Sequence, residues 1–189
     1  MPSLEGSYLV APPYLPDDNF FRSVVLLVEH DQQGAVGVIL NRPTSNPVNC
    51  LVDLLDEQPG EESSWPLCDD VIHYGGPVEG PLTALHGARE FSERQIMPGV
   101  YFSSQKDNLR GLFQKQLSPF RFFNGYSGWA AGQLESELEA GGWFVLAGDS
   151  CSVFENTDDI WERLCASYGM DFLSSMVRPD DIPVDPSVN

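Results

Sequence analysis

The sequence is poor in positive charge. Ten Lys and Arg stand against 28 Asp and Glu, giving a formal net charge of −18 over 189 residues. Affinity for a nucleic-acid backbone comes mainly from neutralising its phosphates with basic side chains. Here those side chains are scattered from Arg22 to Arg178 with no run or patch, and no helix-turn-helix signal is present. Direct binding of DNA or RNA is therefore not expected. Long hydrophobic runs are also missing: none approaches the ~20 residues that span a bilayer, so no membrane helix is expected. The opening MPSLEGSYLVAPPYLPDD has no positive stretch and is broken by prolines, which does not read as a secretory signal. The expected location is cytoplasmic. The cysteines are few (Cys50, Cys68, Cys151, Cys165), and none forms a C-x-x-C pair. Reduced thiols follow from that pattern. A zinc site needs closely spaced Cys or His pairs, so no metal and no cofactor is expected. Histidine is scarcer still: only His30, His73 and His86 could serve as the base that a Ser or Cys nucleophile needs.

What is present is an ordinary globular composition, 42% hydrophobic and 20% charged. The length suits one domain, read as residues 1–176, followed by a frayed acidic, Pro-rich tail over 177–189. Two apolar, β-branched runs, Ser23 to Glu29 and Ala35 to Leu40, flank Asp31-Gln32-Gln33-Gly34. They predict a hairpin covered on both faces, with its last loop position at positive φ. Asn41-Arg42-Pro43 stops the second strand. The spacing of Cys50 to Glu57 predicts a short amphipathic helix ended by Pro59-Gly60, and 61–70 a polar surface loop. Further strands are predicted at Val71 to Tyr74, Leu82 to His86, Val100 to Ser103, Phe120 to Phe123 and Trp143 to Leu146. Helices are predicted at Lys106 to Leu117, Ala130 to Ala140 and Asp158 to Tyr168, the last capped by Asn156 or Thr157 and closed by Gly169. Strands and helices interleave without a regular βαβ rhythm. The fold class is therefore mixed α/β, α+β-like, with a largely antiparallel sheet.

Two stretches imitate hydrolase signatures. Gly125-Tyr126-Ser127-Gly128-Trp129 departs from G-x-S-x-G by placing tryptophan where a glycine relieves crowding at the nucleophile turn. Gly148-Asp149-Ser150 lies late in the chain, and no histidine follows residue 86. No catalytic residue is assigned, and Ser127 reads as a turn or helix-cap residue. The polar and glycine positions at strand ends are better candidates for ligand binding. These are Asn41, Arg42, Gly75, Gly76 and His86, which a single cleft would bring together. Arg42 suits a carboxylate or phosphate. Gly75-Gly76-Pro77 lacks the lysine of a phosphate-binding loop. His30 reads as a turn or edge residue. Along the helical stretch Gln133 to Glu139, Leu134 and Leu138 share one face, and the glutamates at 135, 137 and 139 point mostly outward.

Several blocks together resemble the YqgE/AlgH family: Gly6-x-x-Leu9-x-Ala11-x-Pro13, Phe20-x-x-Ser23-Val24-Val25, and Glu29-His30-Asp31 through Gly34-x-x-Gly37. Asn41-Arg42-Pro43, Gly75-Gly76-Pro77-Val78 and Leu85-His86 follow. The longest block is Gly125-Tyr126-Ser127-Gly128-Trp129-x-x-Gly132-Gln133-Leu134-Glu135-x-Glu137, followed by Trp143. The resemblance covers roughly residues 4 to 170. It implies a bacterial cytoplasmic protein with a bifurcated, largely antiparallel sheet rolled into a pseudo-barrel, helices packed outside. It implies no reaction. Some members carry a transcriptional-regulator label. Where the family commonly has alanine, this chain has Ser127.

Two function classes follow. One is a non-enzymatic regulatory or protein-interaction factor, in which the acidity serves as a solvated surface or as a docking face for a basic partner. The other is a small-molecule binder or enzyme built on the Asn41, Arg42, Gly75, Gly76 and His86 cleft.

Overall fold

A computed structural model describes residues 2–55, 68–155 and 158–176. The Pro59-Gly60 helix stop, most of the loop read over 61–70, the Asn156 or Thr157 cap and the 177–189 tail lie outside these residues. In chain order the strands are β1 (Ser7–Val10), β2 (Val24–Asp31), β3 (Gly34–Ile39), β4 (Pro43–Pro47), β5 (Val71–Tyr74), β6 (Thr83–His86), β7 (Arg94–Met97), β8 (Val100–Ser103), β9 (Phe120–Asn124), β10 (Ser127–Ala130) and β11 (Phe144–Ala147). The helices are α1 (Val52–Leu55), α2 (Lys106–Gln114), α3 (Gln133–Glu139), α4 (Ser150–Phe154) and α5 (Ile160–Met176).

The strands form two sheets. The first, in the order β10-β3-β2-β1-β11, is antiparallel throughout. The second, β4-β5-β9-β6-β8-β7, has one parallel pair, β5 with β9. The mixed, largely antiparallel architecture expected from the sequence is what forms. The sheets face one another across a common core, and among the described residues neither closes on itself.

Strand alternation explains the layering. In β2, Val24, Leu26 and Val28 enter the core between the sheets, joined there by Leu85 of β6 and Phe123 of β9. Their neighbours Val25 and Leu27 point the other way, into a second core with Leu134 of α3, Trp129 and Trp143. The outer face of the second sheet is covered by Leu109, Leu112 and Phe113 of α2 over Ala84 and Phe122. The near-continuous apolar runs of the hairpin are thus buried on both faces, as read. Gly34 opens β3 with φ +138.

Four strands carry too little pattern to be read. β4 is Pro-Thr-Ser-Asn-Pro on a sheet edge, and β7 buries only Ile96. β1 is short, and β10 alternates buried and exposed over four residues in a glycine-rich setting. Because Ser127 to Ala130 pair with Gly34 to Gly37, α3 starts at Gln133 and not at Ala130. The last helix runs on through Gly169 to Met176, so Gly169 is an interior residue and not its cap. Packing of α5 across β1 and β11 overrides the local stop signal. Among the described residues no helix is long and apolar enough to cross a membrane.

Candidate functional site

The ligand-site candidates separate in space. Asn41 accepts the Val24 N–H on Oδ1 at 2.9 Å and donates from Nδ2 to the Arg22 carbonyl at 2.8 Å. Arg42 donates to the Phe21 carbonyl. Both side chains therefore hold the turn before β2. They line a cleft of about 260 Å³ with Arg22, Asp158, Trp161 and Glu162. Gly75 connects to this region only through its backbone, accepting the Ile39 N–H at 2.9 Å. A Cβ on Gly75 would lie 2.2 Å from the Gly125 carbonyl oxygen, and one on Gly76 would lie 2.3 Å from the Tyr126 carbonyl carbon. These glycines let the chain leaving β5 cross the chain entering β10, which no larger residue permits. His86 stands apart, fully buried in the second sheet. The Ser103 hydroxyl donates to the Phe91 carbonyl, so it accepts from His86 Nε2 at 3.1 Å. Burial lowers the His86 pKa from 6.5 to about 4.

The two hydrolase-like stretches take up structural positions. Ser127 is a strand residue and not a turn or cap: it is 0% exposed, and its hydroxyl donates to the Gly75 carbonyl at 3.2 Å. Asp149 caps α4, its Oδ1 accepting the Ser152 N–H at 2.8 Å.

His30 ties three segments together. Its Nδ1 accepts the Leu4 N–H at 2.8 Å, so Nε2 carries the proton and donates to Glu135 Oε1 at 3.1 Å. It is a residue of an interior strand holding α3 and the N-terminal segment, not the turn or edge residue read from sequence. A separate cleft of about 300 Å³ holds Asp69, Asp70, His73 and Arg121. His73 faces the Leu40 carbonyl at 3.1 Å, and burial, reinforced by the nearby Arg121 charge, lowers its pKa to about 4. Burial also draws Arg121 down to about 10, while its Nη2 donates to the Glu155 carbonyl at 2.9 Å. Among the described residues no group of three or more His, Cys, Asp or Glu could hold a metal ion.

The most highly built polar centre is one that the sequence reading left on the surface. Glu137 points toward the aromatic side chains. Its Oε2 accepts the indole N–H of Trp129 at 2.9 Å and that of Trp143 at 2.8 Å, and Oε1 accepts from Gln133 Nε2 at 2.9 Å. Local structure sets each partner. Gln133 and Glu137 are one helical turn apart, on the same face of α3. Gln133 Oε1 also takes the Ala130 N–H at 3.1 Å, fixing the exit from β10. The helix ends in a Schellman turn: Gly141, at φ +74, donates to the Leu138 carbonyl and Gly142 donates to that of Glu137. That reversal returns the chain so that Trp143 meets Glu137. Phe20 completes the group, stacked on Trp129 at 6.2 Å between centroids and edge-on to Trp143 at 5.2 Å. The usable sequence signal was the pair of tryptophans, since a buried indole N–H needs an acceptor.

These residues border an open cleft of about 380 Å³. Its walls are Phe20, Trp129, Trp143 and Pro77, with Asp17, Glu137 and Ala140 also lining it. Asp17 starts the turn that delivers Phe20, its carbonyl accepting the Phe20 N–H at 3.1 Å. Among the described residues no lining residue is basic. The arrangement offers aromatic surface and negative charge, with no nucleophile–base pair.

Residues 8–173 match the family model described as AlgH-like (DUF179). A UPF0301 protein from Chlorobium luteolum is 34% identical over 174 residues, 88% of this chain and 87% of the relative. One from Shewanella oneidensis is 31% identical over 177 residues, 90% of this chain and 94% of the relative. The solution structure of the AlgH protein from Pseudomonas aeruginosa is similar at TM-score 0.69 and 28% identity, covering 94% of this chain and 96% of that one. A crystal structure of protein DIP2367 from Corynebacterium diphtheriae shares the fold at TM-score 0.67 and 24% identity, over 87% of this chain and 86% of the other.

Proposed function

Because the chain belongs to the AlgH-like family, we propose that it works as a cytoplasmic regulatory or protein-interaction factor, meeting a protein partner at the Trp129–Glu137–Trp143 cleft. One observation carries this reading. The residues of the longest signature block, Trp129, Gln133 and Glu137, converge with Trp143 on an open aromatic cleft and not on a reactive pair. Aromatic side chains in a concave, partly apolar setting are the usual anchors of protein interfaces. Ser127 donates to a carbonyl, and His30, His73 and His86 each have a ring nitrogen facing a carboxylate, a carbonyl or a hydroxyl. The net charge of −18 argues against direct DNA contact, so a transcriptional effect would be indirect.

The test compares partners captured by crosslinking to the wild-type chain and to Ala140→Arg. Ala140 is exposed and lines the cleft, so arginine there fills it without disturbing the core. The reading requires that specific partners be lost in the variant and that duplex DNA show no gel retardation at low salt. Partners indifferent to the substitution, or retarded DNA, would overturn it.

A small-molecule site is the second reading. It is favoured by the Asn41–Arg42 cleft, where the Arg22 guanidinium lies 4.9 Å from the Trp161 ring centroid. A thermal-shift screen over metabolites and nucleotides tests it: a hit that survives Arg42→Ala removes this cleft from consideration.

A further inference from the structure

We infer that the Trp129–Glu137–Trp143 cleft receives an arginine side chain from a basic segment of the partner protein; this rests on the reading of the cleft as the interaction surface. The first argument is the state of the carboxylate. Glu137 is held by three neutral donors, two indoles and an amide, so its charge is oriented but not cancelled. Among the described residues no Lys or Arg lines the cleft, and Asp17 adds a second carboxylate. A negative charge fixed by neutral dipoles at the edge of a cavity is complementary to a cation.

The second argument is the wall. Phe20, Trp129 and Trp143 supply three aromatic rings within 6.2 Å of one another, centroid to centroid. Cations are attracted to such faces, tryptophan most strongly, and the attraction grows when the site is shielded from water.

The third argument selects arginine over lysine. A carboxylate has about four acceptor positions. Glu137 uses two on Oε2 and one on Oε1, leaving room on Oε1. Asp17 spends Oδ1 on the Asn19 N–H at 2.8 Å, which leaves Oδ2. A guanidinium offers a planar fork of donors to carboxylate oxygens and a flat face to aromatic rings. An ammonium offers neither. The rest of the acidic surface then steers the basic segment inward without defining the contact.

The experiment is an NMR titration of the indole N–H signals of Trp129 and Trp143 in the intact protein. The probes are two otherwise identical peptides, one carrying arginines and the other citrullines, which keep the shape without the charge. The Trp161 indole, bonded to the Ala11 carbonyl at 2.8 Å, is the internal reference. The arginine peptide should shift both cleft indoles saturably and the citrulline peptide should bind at least tenfold more weakly. Asp17→Asn should weaken binding severalfold and Ala140→Arg should abolish the response. Equal binding of the two peptides overturns the arginine assignment and leaves the cleft an interaction surface. Diffuse shifts over the acidic surface, with the cleft indoles unmoved, also overturn it. If partner capture is meanwhile indifferent to Ala140→Arg, the reading of the cleft itself fails as well.

Discussion

The indole N–H of Trp143 donates to Glu137 Oε2 at 2.8 Å, across the turn that ends α3. The contact ties a helix surface position to the core, because the same oxygen also holds Trp129. Removing the acceptor strands two buried donors, at about 1–3 kcal/mol each. Glu137→Ala should therefore destabilise by roughly 3 kcal/mol. Glu137→Gln retains an acceptor oxygen and should lose less than half of that. Chemical denaturation followed by tryptophan fluorescence measures both, and equal losses would refute the two-donor account.

Gly76 carries a different constraint, since any Cβ there meets the Tyr126 backbone at 2.3 Å. Gly76→Ala should cost more than about 3 kcal/mol or leave the protein insoluble. Gly132, at φ +74 with nothing among the described residues within 4 Å of an added Cβ, is the control. Gly132→Ala should cost only about 1 kcal/mol, from backbone strain alone. Comparable losses at the two sites would show that the crossing is not tight.

His73 and His86 predict an acid limb in the stability curve. Both are lowered by burial from 6.5 to about 4. Between those values the unfolded chain takes up protons that the native state does not, so stability falls as pH drops through the window. Above 6.5 both states are neutral and the contribution is complete; below 4 the fall from these groups levels off. Each histidine accounts for a loss on the order of 3 kcal/mol across the window. Urea denaturation from pH 7.5 to 4.5 should show this slope, and it should flatten in His73→Gln and His86→Gln. An unchanged slope in both variants assigns the limb elsewhere.

Gly169 separates the local signal from the tertiary outcome. Inside a continuous helix, with nothing among the described residues outside that helix within 4 Å of an added Cβ, Gly169→Ala should stabilise by about 0.5–1 kcal/mol. Were it a left-handed cap, the same change would destabilise. The sign of the shift in thermal midpoint decides between them.

The sequence by itself determined the elements whose side-chain period is strong. The hairpin of β2 and β3 was legible because short β-branched runs such as Val24 to Val28, apolar at every position and bounded by turn residues, suit a strand covered on both faces. The α2 stripe of Leu109, Leu112 and Phe113, and the glycine stop after α3, were legible for equally local reasons. So was the family, through its blocks in order. Only the tertiary structure decided what long-range pairing controls. β10 is a strand because Gly34 to Gly37 lies beside it, and Ser127 is buried because Gly75 crosses over it. Asn41 and Arg42 share a cleft, whereas His86 sits in the second sheet; nothing in their sequence spacing encodes that separation. Glu137 looked like one more surface glutamate. Its role depends on two indoles brought from β10 and from the approach to β11, and burying an N–H demands an acceptor that only the folded chain identifies.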